Sequence, residues 1–85
     1  MQWIEVQSSA ITALAYDARA CRLGIEFQQK RKVYFYYDVP PSELEAFLAA
    51  ESKGRYLSTQ FLPKNYRCTG PYPSRRLAPV RNDRL

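Results

Sequence analysis

Hydrophobic and polar positions alternate through the first half of the chain and cluster at helical spacing in the second. Ile11-Thr-Ala-Leu-Ala-Tyr16 predicts a strand, followed by a turn at Asp17-Ala18-Arg19-Ala20. Arg22-Leu-Gly-Ile-Glu-Phe27 alternates cleanly, with Leu23, Ile25 and Phe27 on one face and Arg22, Gly24 and Glu26 on the other. Gln28-Gln-Lys-Arg-Lys32 is wholly polar and predicts a five-residue hairpin loop. Val33-Tyr-Phe-Tyr-Tyr37 is all β-branched or aromatic, the strongest strand signal present. A weaker short strand spans Ile4 to Val6.

Register decides where the tyrosines point, because a slip of one residue turns every side chain to the other face. A five-residue loop sets Phe27 opposite Val33 and Ile25 opposite Phe35, giving an apolar core face. Tyr34 and Tyr36 then lie on the second face, opposite Glu26 and Gly24. A four-residue loop would pair Lys32 with Phe27 and turn both tyrosines inward. The first register is expected, since it keeps Lys32 out of the core.

Pro40-Pro41 ends the third strand and suits the start of a helix. Ser42 and Glu45 have capping-box spacing, and Leu44, Phe47 and Leu48 form one apolar stripe. Ser52 is the expected cap of a second helix that includes Tyr56, Leu57 and Phe61 and stops near Pro63. The tail beyond holds Pro63, Pro71, Pro73 and Pro79 and is expected to lack regular structure. The expected fold is therefore α+β: a three-stranded antiparallel meander, two short helices on one face, and an irregular basic C-terminal tail. The division is a compact domain over 1–62 and a tail over 63–85.

Composition changes this picture mainly through charge. Through Leu62, seven bases balance seven acids; from Pro63 on, Lys64, Arg67, Arg75, Arg76, Arg81 and Arg84 face Asp83 alone. The formal charge of +5 thus resides in the tail. No run approaches the roughly 20 apolar residues of a membrane span, and Met1-Gln2-Trp3-Ile4-Glu5 is unlike a signal peptide. Cytoplasmic residence without membrane contact is expected.

The residues offer little chemistry of their own. With no histidine, Cys21 and Cys68 make neither a metal site nor an activated nucleophile. Gly24, Gly54 and Gly70 are too scattered for a phosphate-cradling loop. No enzyme activity, metal or cofactor is expected.

The series Ser8-Ser9-Ala10-Ile11, Tyr16-Asp17, Leu23-x-Ile25-x-Phe27 and Tyr34-x-Tyr36-x-x-Val39-Pro40 runs on through Ala50-x-Ser52-x-Gly54-x-Tyr56-Leu57 to Lys64-x-Tyr66. It resembles the KTSC family, short domains named for their place at the C-terminus of some lysyl-tRNA synthetases. They also occur as stand-alone small proteins in bacteria and phages. The loop before the Tyr-x-Tyr pair departs from that pattern in lacking glycine, Leu57 stands where the family usually has Phe, and the basic extension after Tyr66 is extra. The resemblance implies a fold rather than an activity, and its synthetase setting suggests RNA.

Three roles compete for Tyr34 and Tyr36: a stacking platform for single-stranded nucleic acid, plain aromatic packing with Tyr36 covering Gly24, or a homo-oligomer interface. Ser52-Lys53-Gly54-Arg55 is either an anion site or a plain helix cap. Ser8 and Ser9 are ligand donors or turn residues. Lys64, Tyr66, Arg67, Arg75 and Arg76 mix cations with an aromatic in the tail, as a phosphate-binding segment does. The leading expectation is a non-enzymatic RNA- or DNA-binding accessory module using Tyr34, Tyr36, Lys53, Arg55 and the tail residues. The alternatives are a homo-oligomer holding a nucleotide-like anion in its subunit clefts, and a protein-interaction module.

Overall fold

Five antiparallel strands and two helical segments are built from residues 2–73, which the computed structural model describes. The strands are β1 (Trp3–Glu5), β2 (Ile11–Asp17), β3 (Arg22–Phe27), β4 (Val33–Tyr36) and β5 (Cys68–Tyr72), in the order β1-β2-β3-β4-β5. Helix α1 is Pro41–Ala49; α2 is Lys53–Tyr56, continuing through a π turn at Leu57–Phe61 and a 3-10 turn at Leu62–Lys64. The α+β class is as expected, but the sheet has five strands rather than three. The extra edges are β1, one residue earlier than the Ile4 to Val6 expectation, and β5, from a stretch expected to be irregular. β5 pairs because β4 would otherwise present an open edge. Its ladder joins Tyr36 to Cys68 and Val33 to Tyr72.

The expected hairpin register is corrected by one residue. Leu23 faces Tyr36, Gly24 faces Phe35, Ile25 faces Tyr34 and Glu26 faces Val33. The loop is four residues long, closed by the Phe27 amide on the Lys32 carbonyl at 2.9 Å. Lys30 and Arg31 both take left-handed backbone, with φ of 62° and 52°, which lets the chain turn back this quickly without glycine. The objection that Lys32 would enter the core does not arise: the Phe27–Lys32 pair lies at the end of the ladder, where Lys32 is exposed.

One sheet face carries Leu14, Leu23, Ile25 and Tyr36, which join Ile11, Val39, Phe47, Leu57 and Phe61 in a single core. Tyr36 meets Phe61 edge-on at 4.9 Å, and Phe47 packs on Phe61 at 5.4 Å. The Tyr16 hydroxyl donates to the Val39 carbonyl at 2.5 Å, fixing the connection into α1. That helix starts at Pro41 with Pro40 as its cap, so Ser42 lies inside the first turn and makes no side-chain cap. Ser52 does cap α2, accepting from the Arg55 amide at 3.2 Å. Gly54 lets α2 approach the residue leading into β2 closely, since a Cβ there would lie 3.1 Å from the Ala10 Cβ.

The other sheet face has no helix on it among the described residues. Here Ala13, Ala15 and Gly24 leave room for larger neighbours. A Cβ on Gly24 would fall 2.9 Å from the Phe35 ring and 3.0 Å from Trp3. Phe35 and Trp3, not Tyr36, therefore cover Gly24.

Candidate functional site

The corrected register separates the two tyrosines by role. Tyr36 is 7 % exposed and belongs to the core, and burial pushes its hydroxyl pKa up to about 12. The exposed Tyr34-Tyr36 platform expected from the sequence is not present. Tyr34 instead lies half-buried, against Phe27 at 5.6 Å with the rings edge to face.

Phe27 and Tyr34 form the apolar wall of a cleft of about 500 Å³ at the hairpin end of the sheet. Ser9, Gln29, Lys30 and Lys32 supply its polar walls, and no carboxylate lines it. Two local features position these groups. Ser8 Oγ accepts from the Ala10 and Ile11 amides at 3.1 and 3.2 Å, and Gln28 Nε2 donates to the Ser8 carbonyl at 3.2 Å. The left-handed pair Lys30-Arg31 splits the cation run: Lys30 and Lys32 line the cleft while Arg31 Nε comes within 3.9 Å of the buried Glu26 carboxylate. The result is a concave site with two ammonium groups, a hydroxyl and two aromatic rings.

Other residues singled out in the sequence are tied into the fold. Lys53 Nζ donates to the carbonyls of Leu48 and Ala50, both at 2.9 Å, capping α1 rather than joining an anion site. Arg55 is exposed beside a smaller cleft, of about 340 Å³, that Tyr56 and Thr59 also line. Arg67 stacks over the Tyr37 ring at 4.9 Å. Arg75 and Arg76 lie outside the described residues.

Lys64 and Tyr66 converge on Glu43, a residue the sequence reading passed over. The Glu43 carboxylate is 4 % exposed and accepts from Lys64 Nζ at 2.6 Å, from the Tyr66 hydroxyl at 2.8 Å, and from the Tyr56 hydroxyl. Burial alone would push this carboxyl up, but the three donors outweigh it and hold the group below its ordinary value. Burial, and then the hydrogen bond to Glu43, raise both tyrosines; the bond to Glu43 raises Lys64. A carboxylate surrounded in this way is a structural hub. The signal for it was present: Glu43 precedes Phe47 by four residues, so both occupy one helix face.

The sequence profile of the KTSC domain matches residues 7–66. The chain belongs to the KTSC domain family. Its fold agrees with the crystal structure of a KTSC domain protein from Yersinia pestis, with a TM-score of 0.75 and 30 % identity over 84 % of this chain and 97 % of that one. An uncharacterized protein of Stutzerimonas stutzeri is 37 % identical across 79 % of this chain and 93 % of its own length. A protein of Tsukamurella paurometabola is 41 % identical across 69 % of this chain and 87 % of its own. Within this KTSC domain, several residues that carried the resemblance contact one another. Tyr16 holds Val39, Gly54 meets Ala10, and Tyr56 and Tyr66 share Glu43.

Proposed function

We propose that this KTSC domain is a non-enzymatic module that binds nucleic acid, RNA or DNA, through phosphates held at the cleft. The observation that supports this reading is the convergence of Lys30 and Lys32 on a concave surface that lacks carboxylates and is backed by Tyr34 and Phe27. Cations grip a phosphate backbone by releasing its counterions, and an adjacent aromatic wall admits a base. Filter-binding titrations across a salt series test it. Replacing Lys30 and Lys32 with Ala flattens the slope of log K against log[salt] by about 1.4–1.8, at 0.7–0.9 per phosphate contact, for all sequences alike. Absence of binding at about 50 mM salt and micromolar protein overturns the proposal.

The cleft volume supports a second reading, since about 500 Å³ falls within the range of small-ligand sites. In that case a mononucleotide binds the cleft as tightly as an oligonucleotide does, and the two compete.

A further inference from the structure

Lys30, Arg31 and Lys32 are successive cations at one hairpin turn, and the fold divides them. Left-handed backbone at Lys30 and Arg31 sends Lys30 and Lys32 to the cleft and Arg31 away from it. The two lysines are exposed, whereas Arg31 is half-buried, with Nε 3.9 Å from the Glu26 carboxylate. Glu26 is 0 % exposed. It alternates with Phe27 along β3, so it lies on the sheet face opposite the cleft wall. Its cross-strand neighbours there are Ala13 and Val33, both buried and apolar. A carboxylate in such surroundings is costly to leave without a counter-charge, and an exposed lysine is under no such constraint.

We infer that the Arg31–Glu26 ion pair is an anchor that positions the hairpin turn for its ligand, and that Arg31 is not itself a phosphate contact. This role rests on the cleft reading above and divides the work of that site: Lys30 and Lys32 hold phosphate, and Arg31 holds the turn. Connectivity and charge carry it. Arg31 stands between the two lysines in the chain, and Glu26 immediately precedes Phe27, whose ring is a wall of the cleft. The pair therefore ties the residue between the cations to the strand that supplies the aromatic wall. The turn is also held by the Phe27 amide on the Lys32 carbonyl at 2.9 Å, and by the Arg31 amide on the Gln28 carbonyl at 3.4 Å. Arg31 cannot swing toward the cleft without withdrawing positive charge from the buried carboxylate. With the turn fixed in advance, the lysines lose less conformational freedom when the ligand arrives.

The sign of one substitution separates this role from plain electrostatics. Glu26→Gln removes a negative charge near a phosphate site, so charge alone would tighten binding, whereas loss of the anchor weakens it. The full chain is titrated by filter binding with a single-stranded oligonucleotide of about 12 nucleotides across a salt series, below the thermal transition of each variant. Glu26→Gln and Arg31→Ala each weaken binding about three- to tenfold, the cost of ordering one or two long side chains on binding. In both, the slope of log K against log[salt] stays within about 0.3 of the unaltered chain, where a lost phosphate contact would flatten it by about 0.7–0.9. The double variant binds no worse than the weaker single one, because both changes break the same contact. Should Glu26→Gln fail to fold, Arg31→Ala decides alone, its side chain being 35 % exposed. Tighter binding by Glu26→Gln, or a slope flattened by a full contact or an unchanged affinity in Arg31→Ala, overturns the anchor and leaves the cleft reading intact. No binding by the unaltered chain overturns both.

Discussion

Glu43 shows how much a single side chain can carry in so small a core. Its two oxygens accept from a lysine and two tyrosines, and those donors come from α2, the turn after it and the approach to β5. Glu43→Ala strands three donors around a buried site and costs about 2–4 kcal/mol in urea unfolding. Lys64→Ala costs only about 1 kcal/mol, since that side chain is 46 % exposed and the tyrosines still hold the carboxylate. The pH dependence has a definite sign at each end. The carboxyl is held below its ordinary 4.5, so its contribution is complete above that value and is lost as pH falls through the folded one. Lys64, Tyr56 and Tyr66 are all raised, so theirs is complete below about pH 10 and is lost as pH climbs through the folded values. Stability therefore falls at both extremes, and Glu43→Gln flattens both limbs of a thermal-melt series across pH.

At the scale of elements, β5 is the informative one. It closes the β4 edge through the Tyr37 amide on the Arg67 carbonyl at 2.8 Å and the Tyr37–Thr69 hydroxyl pair at 2.8 Å, and Tyr72 lies against Phe35. The family match ends at residue 66, just before β5. A chain cut after Tyr66 retains the core and the Glu43 hub, so it unfolds cooperatively in calorimetry. It lacks one ring pair and several edge hydrogen bonds, each worth about 1 kcal/mol, and melts roughly 10 °C lower. Loss of the cooperative transition would mean that β5 is required for folding. The hairpin between β3 and β4 teaches a different lesson: a loop of Gln, Lys and Arg closes in four residues because two non-glycine positions, Lys30 and Arg31, accept left-handed backbone.

For the whole molecule, charge and shape act at different places. The formal +5 comes from the C-terminal part of the sequence, while the concave cationic site lies at the hairpin end of the sheet, on Lys30 and Lys32. If both contact one nucleic acid, their contributions to counterion release add. Replacing Arg75 and Arg76 with Ala then lowers the salt slope by a further 1.4–1.8 or so, on top of the Lys30 and Lys32 change, without altering sequence preference. A filter-binding salt series on the combined variant checks this; a slope no lower than that of the lysine variant alone places the two arginines outside the contact.

The sequence by itself determined the α+β class, the central meander, the Ser52 cap and the apolar stripe at Phe47, because alternation, capping chemistry and helical spacing are local properties. Only the tertiary structure decided the register of β4, since two loop lengths were both sterically acceptable and the choice depended on backbone torsions at Lys30 and Arg31. That one-residue difference moved Tyr36 into the core, Tyr34 to the cleft and Phe35 to the outer sheet face. Tertiary contacts likewise assigned Lys53 to the end of α1, and Lys64 and Tyr66 to Glu43. A charged residue carries no local mark of whether its partner will be solvent, a ligand or a buried group 21 residues away. Only the folded chain brings such partners together.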